Sequence, residues 1–66
     1  MSVVKVIEIS ASSSKSFEKA VKNGIKSASE SLDNVTGAWV ESQKVTVKDG
    51  KIDDYRVIMK VSFVLK

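Results

Sequence analysis

Hydrophobic side chains recur at two different periods along this chain, and the two periods predict its elements. Residues 3–9 are rich in β-branched side chains, which predicts a first strand. A spacing of three and four residues then predicts one buried face of a helix, with Phe17, Ala20, Val21, Gly24, Ile25, Ala28 and Leu32. Residues 38–48 and 51–66 read as two long strands joined by Asp49-Gly50, a typical hairpin turn. The predicted order is therefore β-α-β-β.

Polar residues mark the ends of the predicted helix. Ser13, in the serine-rich run 10–14, is the predicted N-cap, because its hydroxyl can accept a free backbone N–H of the first turn. The helix should end at about Ser31 or Leu32. Gly24 lies on the buried face, where a helical glycine costs about 1 kcal/mol relative to alanine. We therefore expect the helix to approach the sheet closely at this residue.

The last strand predicts a continuous apolar face for the helix to cover. That face carries Tyr55, Val57, Met59, Val61, Phe63 and Leu65. One helix covers only one side of an antiparallel sheet. The other side should then carry uncovered apolar residues, namely Ile7, Ile9, Trp39, Ile58 and Val64. Patches of this kind usually mark a surface for association or for a ligand.

The second strand changes phase along its length. Val40 is out of step with Val45 and Val47, which predicts a bulge or a sharp twist between Glu41 and Lys44. Such an irregularity would curl the hairpin around the helix.

The size of the chain limits how it can be stabilised. Its 66 residues predict a single domain, residues 1–66, and a domain of this size buries only about 60% of its unfolded surface. Cysteine and histidine are absent from the sequence, so self-association is the expected source of further burial. Residues 1–5 contain no apolar leader, and no run is long enough to span a bilayer. These features predict a cytoplasmic protein with no membrane partner.

The sequence lacks the residues that most common catalytic sites require. Without histidine or cysteine, a Ser-His-Asp triad, a thiol nucleophile and a Cys/His zinc site are all excluded. The adjacent Asp53 and Asp54 point to opposite faces of a strand and are poorly placed for acid–base catalysis. We therefore expect no enzymatic activity. Trp39, the single tryptophan, is the first candidate for recognition.

Two other kinds of partner stay open. Glu8, Glu41, Asp53 and Asp54 are either solubilising strand charges or oxygen ligands for Ca²⁺, and the metal ligands themselves cannot be assigned. The net charge is +3, and four lysines form one stripe on the helix: Lys15, Lys19, Lys22 and Lys26. A solvated surface in which Glu18 pairs with Lys22 is the favoured interpretation of this stripe, and nucleic-acid binding is the less favoured one.

The order of several short segments resembles the dodecin family. They are Lys5-Val6-Ile7-Glu8, Ser16-Phe17-Glu18-Lys19-Ala20, Asp49-Gly50-Lys51-Ile52, Tyr55-Arg56-Val57 and Lys60-Val61-Ser62-Phe63. The resemblance covers essentially the whole chain. It implies an α+β fold in which a three-stranded antiparallel sheet partly wraps one helix, and a homododecamer that forms a hollow shell. It also implies a non-enzymatic protein that stores or sequesters flavin between symmetry-related subunits.

The positions that hold flavin in this family are altered here. By the resemblance, the stacking tryptophan falls on Gly37, the glutamine that binds the ring edge falls on Arg56, and an arginine near the chain end falls on Val64. Trp39 lies on the same face of a regular strand as Gly37, about 6–7 Å away. It is either a displaced stacking platform or a structural residue that fills the space left by Gly37 or seals a contact between subunits. Arg56 supplies a charge to a flavin carbonyl or phosphate, or else forms an intersubunit ion pair.

The predicted ligand site therefore consists of Gly37, Trp39, Arg56 and Val64, with riboflavin or FMN as the first candidate ligand. The alternative is a flavin-free dodecin-like assembly with a structural or calcium-binding role, since calcium binding is associated with some dodecin-like proteins that lack the tryptophan. A third hypothesis is a nucleic-acid binder that uses the lysine stripe.

Overall fold

The computed structural model describes residues 3–65. It contains strand β1 (Val4–Ser13), helix α1 (Phe17–Ser31), strand β2 (Val35–Lys48) and strand β3 (Lys51–Val64). This order confirms the β-α-β-β prediction. The strands form one antiparallel sheet in the order β1-β3-β2. The last strand of the sequence is therefore the central strand, and it pairs along its length with both neighbours.

Strand β1 is longer than predicted, and the position of the helix cap changes with it. The serine-rich run belongs to β1, because it pairs with β3 as far as Ser13 opposite Tyr55. The prediction of Ser13 as the N-cap is wrong: its Oγ accepts the backbone N–H of Lys15 at 3.0 Å. Ser16 is the N-cap instead, and its Oγ accepts the backbone N–H of Lys19 at 3.0 Å.

The turn and the bulge of the β2–β3 hairpin are both confirmed. Asp49 and Gly50 have positive φ angles of 53° and 74°, as the two central residues of a type I′ turn require. The pairing of β2 with β3 shifts by one residue between Val40 and Ser42. Glu41 is the extra residue at this shift, and a bulge of this kind bends the strand and increases its twist.

Helix α1 packs on β1 and β3 and only marginally on β2. We call the covered side of the sheet the inner face and the opposite side the outer face. The buried apolar residues are Ala20 and Ala28 of α1 and Val57, Met59, Val61 and Phe63 of β3. They confirm the predicted apolar face of β3 from Val57 to Phe63, whereas Leu65 lies beyond the end of the strand and is exposed. The ring of Tyr55 extends this face, since it meets Phe17 of the helix edge to face at 5.2 Å between centroids.

The prediction that Ile7 and Ile9 lie on the uncovered face is wrong. They pair with Val61 and Met59 of β3, so they share the inner face with the core, and Ile9 packs directly against it. Val4 and Val6 lie on the outer face instead and are exposed there. Period-two alternation groups the residues of a strand by face, but pairing with β3 decides which group meets the helix.

The helix also leaves part of the inner face uncovered. Val40 pairs with Met59 and Val45 pairs with Tyr55, so both valines lie on the inner face. Both are nevertheless exposed, because α1 packs over β1 and β3 and only marginally over β2. The described chain is accordingly elongated, with extents of 51 × 19 × 14 Å. Apolar surface is thus exposed on both faces of the sheet.

Close contact between helix and sheet explains the glycine on the buried helical face. A Cβ added at Gly24 would clash with the terminal methyl of Met59 and would lie 3.0 Å from the Cβ of Ala11. The Met59 methyl can move, but the Ala11 Cβ is fixed to the backbone of β1. The expected close approach at Gly24 is therefore confirmed.

We expect Gly24→Ala to lower the free energy of unfolding by up to about 2 kcal/mol. Overpacking costs about 1–3 kcal/mol, and the better helix propensity of alanine offsets only about 1 kcal/mol of it. Urea unfolding at a fixed protein concentration measures the change. Ser29→Ala, at an exposed site on the same helix, is the matched control and should be neutral or slightly stabilising. A gain in stability for Gly24→Ala would contradict the close-contact explanation.

Candidate functional site

The outer face places Gly37 and Trp39 in neighbouring rows. Residues paired across adjacent strands lie side by side on one face. Gly37 pairs with Ser62 and Trp39 pairs with Lys60. The pairing is regular between these two positions, so the two β2 residues lie on the same face about 6–7 Å apart.

The other two predicted ligand residues lie on either side of this pair. Val64 is opposite Val4 on the outer face, in the row that follows Ser62. Arg56 lies two rows from Lys60 in the opposite direction, about 13 Å along the strand. The structure therefore brings Gly37 and Trp39 together, and it places Val64 and Arg56 two rows from Lys60 in opposite directions along the outer face.

Trp39 presents a broad aromatic surface in the single chain, since 51% of it is exposed. Gly37 beside it carries no side chain, and its carbonyl accepts a hydrogen bond from the Ser62 hydroxyl at 3.2 Å. An added Cβ at Gly37 would come within 3.3 Å of that hydroxyl oxygen. Apart from the Ser62 hydroxyl, no side chain from elsewhere in the described chain lies within 4 Å of the position that a Cβ of residue 37 would take beside Trp39.

A basic pocket forms the other end of the outer face. It has a volume of about 400 Å³ and is lined by Ser10, Ser42, Gln43, Lys44, Arg56 and Ile58. This volume lies within the range of small-molecule sites. The Nε of Arg56 is 3.6 Å from Oδ2 of Asp54, so Arg56 already has a partly compensating charge within its own chain. Lys44, which pairs across the sheet with Arg56, adds a second positive charge to the pocket.

An acidic pair and a lysine lie in the same row as Trp39. Glu8 on β1 and Trp39 on β2 both pair with Lys60 of β3. Glu41, the extra residue of the bulge, has its Oε1 3.2 Å from the Nζ of Lys60. Sequence reasoning singled out both glutamates but missed Lys60. Its position opposite Glu8 and Trp39 follows only from the register of three strands.

The two glutamates affect each other's ionisation in opposite directions. The pKa of Glu8 is raised above its ordinary value, first by a hydrogen bond with Glu41 and then by the negative charge of Glu41. The pKa of Glu41 is lowered by the same hydrogen bond and by the hydrogen bond from Lys60. Glu8 is therefore the carboxyl that takes up a proton first as pH falls, and in that form it donates a hydrogen bond to the Glu41 carboxylate.

The four candidate cation ligands do not converge in one chain. Asp53 and Asp54 lie toward the hairpin end, where Thr46 Oγ1 donates to Asp53 Oδ2 at 3.5 Å and Asp54 pairs with Arg56. Across residues 3–65, no group of three or more Asp, Glu, His or Cys side chains is close enough to hold a metal ion. Glu8 and Glu41 approach each other across the sheet, but two carboxyl groups are too few for a hard cation, which would need oxygen atoms from elsewhere.

The lysine stripe on α1 has the solvated character expected from its spacing. The Nζ of Lys22 lies 3.7 Å from Oε2 of Glu18, and both side chains are well exposed. This pair confirms the predicted i,i+4 contact. In the part of the chain that the structure describes, no helix is long and apolar enough to cross a membrane.

The fold and the outer face together define a small binding protein, built as one helix on a three-stranded sheet. Comparison with known proteins identifies the family. The family model described as Dodecin matches residues 3–66, and the chain belongs to the dodecin family. Dodecins are small binding proteins rather than enzymes, their assembly as dodecamers is a family property, and the family binds flavins.

Two kinds of dodecin are among the relatives. Calcium dodecin of Mycobacterium tuberculosis (strain ATCC 25618 / H37Rv) is 35% identical over 66 residues, covering 100% of this chain and 93% of the relative. The crystal structure of a calcium-chelating calcium dodecin from Mycobacterium tuberculosis, with a novel calcium-binding site, matches with a TM-score of 0.85. The two sequences are 37% identical, and the match covers 97% of this chain and 91% of the mycobacterial chain. A dodecin from Streptomyces davaonensis matches with a TM-score of 0.94, at 32% identity over 98% of this chain and 96% of that one.

The raised pKa of Glu8 predicts that the effect of Glu8→Gln on stability depends on pH. A raised pKa in the folded state means that protonated Glu8 stabilises the fold at low pH, and that this contribution is lost as pH rises through the folded pKa. Glutamine keeps the hydrogen-bond donor at all pH values. We therefore expect Glu8→Gln to raise Tm at about pH 7 and to leave it nearly unchanged at about pH 4.

Thermal unfolding followed by circular dichroism, at one protein concentration and low salt, measures the effect of Glu8→Gln. Glu30→Gln removes an exposed carboxylate from the helix and controls for the change in net charge. If the Tm of Glu8→Gln at about pH 7 is equal to or below that of the unmodified protein, the hydrogen bond between protonated Glu8 and Glu41 is contradicted.

Proposed function

We propose that this protein is a cytoplasmic, non-enzymatic homododecamer that binds a planar aromatic molecule on the outer face of its sheet. Riboflavin or FMN is the first candidate ligand. The observation that carries the proposal is the half-exposed Trp39, which lies beside the side-chain-free Gly37 on a face that the helix does not cover. The proposed ligand residues are Gly37, Trp39, Arg56 and Val64.

Stacking is the interaction that this arrangement favours. The indole face of Trp39 offers dispersion contact and apolar area to a flat ring, and the backbone at Gly37 gives the ring room beside it. Val64 adds apolar surface to the same face, two rows from Trp39 and beyond Gly37. A ring on a single indole would have one face open to water, so a second copy across a symmetry axis would complete the site.

The basic pocket at Arg56 supports a ligand that carries a negative group as well as a ring. Lys44 and Arg56 both line it, and Ile58 connects it with the row of Trp39. Asp54 neutralises part of the Arg56 charge, so Lys44 is the less compensated cation. FMN, with its phosphate, suits this face better than riboflavin does.

Titration with riboflavin and with FMN tests the proposal. We expect saturable quenching of flavin fluorescence, because a ring stacked on Trp39 is quenched by the indole. Trp39→Ala should weaken the affinity by about tenfold or more, and Trp39→Phe by less because an aromatic face remains. The molecular mass of each variant, measured by light scattering, should stay that of the unmodified assembly. Absence of saturable binding at micromolar protein would contradict the flavin proposal, and an unchanged affinity of Trp39→Ala would remove Trp39 from the site.

Calcium is a second candidate ligand, and a specific observation favours it. Glu8 and Glu41 bring two carboxyl groups together on the outer face, with a hydrogen bond between them. The relative that is 35% identical is a calcium dodecin. The ion pair between Lys60 and Glu41 opposes cation binding in a single chain, so further oxygen ligands from a neighbouring copy would be needed.

Calorimetric titration of chelator-stripped protein with Ca²⁺ tests this second candidate. At an acidic pH at which Glu8 is protonated, binding at the two glutamates should release that proton, so the measured heat should change with the ionisation enthalpy of the buffer. Glu41→Gln should remove the binding heat. Asp53→Asn, at the other end of the sheet, is the matched control and should leave it unchanged. A heat equal to the buffer blank would contradict calcium binding.

A further inference from the structure

We propose that Lys60 makes the surface around Trp39 selective for planar rings that carry oxygen acceptors on their edge. The Lys60 ammonium donates a hydrogen bond to a carbonyl or anionic oxygen of a ring that is stacked on the indole. This inference rests on the proposed function, because it requires a planar ligand on Trp39. It adds one residue to the proposed ligand residues Gly37, Trp39, Arg56 and Val64.

The register of the sheet places Lys60 directly beside the indole. Trp39 of β2 pairs with Lys60 of the central strand, and paired residues on one face have Cβ atoms about 4.5–5.5 Å apart. The flexible four-carbon stem of lysine lets its ammonium reach the rim of the neighbouring aromatic side chain. The side chain of Lys60 is 38% exposed, and Trp39 is half-exposed. One ligand can therefore touch both.

The residues around Lys60 on the outer face do not offer a second cation. Along β3, Ile58 and Ser62 occupy the neighbouring rows. Ile58 is apolar, and the Ser62 hydroxyl already donates to the carbonyl of Gly37 at 3.2 Å. On β1, the residue opposite Lys60 is Glu8, an acid. Among the described residues, Lys60 is thus the one cation in these three rows.

The contact between Lys60 and Glu41 leaves donors of the ammonium available. The Nζ of Lys60 lies 3.2 Å from Oε1 of Glu41, and a lysine ammonium carries three N–H donors. Both side chains of this pair are partly exposed, and ion pairs of this kind hold their partners weakly. Glu41 therefore keeps the ammonium near the row of Trp39 without using up its donors.

Arg56 is too far along the sheet to serve the same ring edge. It lies two rows from Lys60, about 13 Å along the strand, and its Nε is 3.6 Å from Oδ2 of Asp54. That position suits a negative group at the end of a ligand's side chain. The two cations therefore have different tasks: Lys60 recognises the ring, and Arg56 recognises the tail.

Selectivity between rings requires a polar group such as Lys60, because stacking alone tolerates any flat aromatic face. A hydrogen bond from an ionised donor is roughly twice as strong as one between neutral groups. A ring without acceptors would cover the ammonium and remove water from it without replacing the lost hydrogen bonds. The ligand class that fits is a ring system with carbonyl oxygens along one edge, as in the isoalloxazine of flavins.

Equilibrium dialysis of the protein against two matched tricyclic probes tests the inference. Lumiflavin has the isoalloxazine ring with its carbonyl edge and no ribityl or phosphate tail, and phenazine is a similar ring system without oxygen. Absorbance gives the bound fraction of either probe. We expect the unmodified protein to bind lumiflavin about tenfold more tightly than phenazine, the difference expected for one hydrogen bond to a charged donor.

Variants at Lys60 separate recognition of the ring edge from stacking. Lys60→Met keeps a long apolar stem and should lose about tenfold in affinity for lumiflavin, with the affinity for phenazine unchanged. Lys60→Arg keeps the charge and should retain most of the preference. Lys48→Met removes an exposed lysine near the hairpin turn and should behave like the unmodified protein. Light scattering checks that each variant keeps its molecular mass.

The outcomes separate this inference from the proposed function. Equal affinity of the unmodified protein for the two probes, or unchanged lumiflavin binding by Lys60→Met, would overturn the role of Lys60. An equal loss of phenazine binding would overturn it too, because Lys60→Met would then have damaged the stacking surface. Saturable binding of FMN alongside any of these results leaves the proposed function standing. Absence of binding of both FMN and lumiflavin would overturn both.

Discussion

The contact between helix α1 and the central strand β3 is the interaction on which the rest of the structure depends. Ala20 of the helix and Val57 and Met59 of β3 are fully buried where the two elements meet. Gly24 lets the helix approach closely enough to make this contact. Since β3 pairs with both other strands, its position under the helix also sets their register. The arrangement of every side chain on the outer face follows from that register.

Local patterns in the sequence predicted much of this fold. The alternation of β3, the Asp49-Gly50 turn and the phase change at Glu41 are properties of short segments, and all three are present in the structure. The face assigned to Ile9 and the cap assigned to Ser13 were wrong for one common reason. Both depend on the pairing of β1 with β3: its register decides the face of Ile9, and its length decides where the strand ends and the helix can begin. A long-range pairing leaves no signal in the spacing of β1 itself.

The candidate site shows the same division between local and long-range information. Alternation along β2 is enough to place Gly37 and Trp39 on one face, because both lie in one regular segment of the strand. The cluster of Glu8, Glu41 and Lys60 draws on three strands and on a bulge that turns Glu41 toward Lys60. Such a cluster becomes visible only when the strand order is known.

A sheet covered by a single helix leaves apolar side chains exposed, and here they lie on both faces. Val40 and Val45 are exposed on the inner face, beyond the reach of α1. The outer face carries the proposed ligand residues, and Gly37, Trp39 and Arg56 are exposed there and absent from the buried core. Their side chains can therefore differ from those of flavin-binding relatives without cost to the helix–sheet contact. This separation lets one fold accommodate different ligands, since changes on the outer face leave the core unchanged.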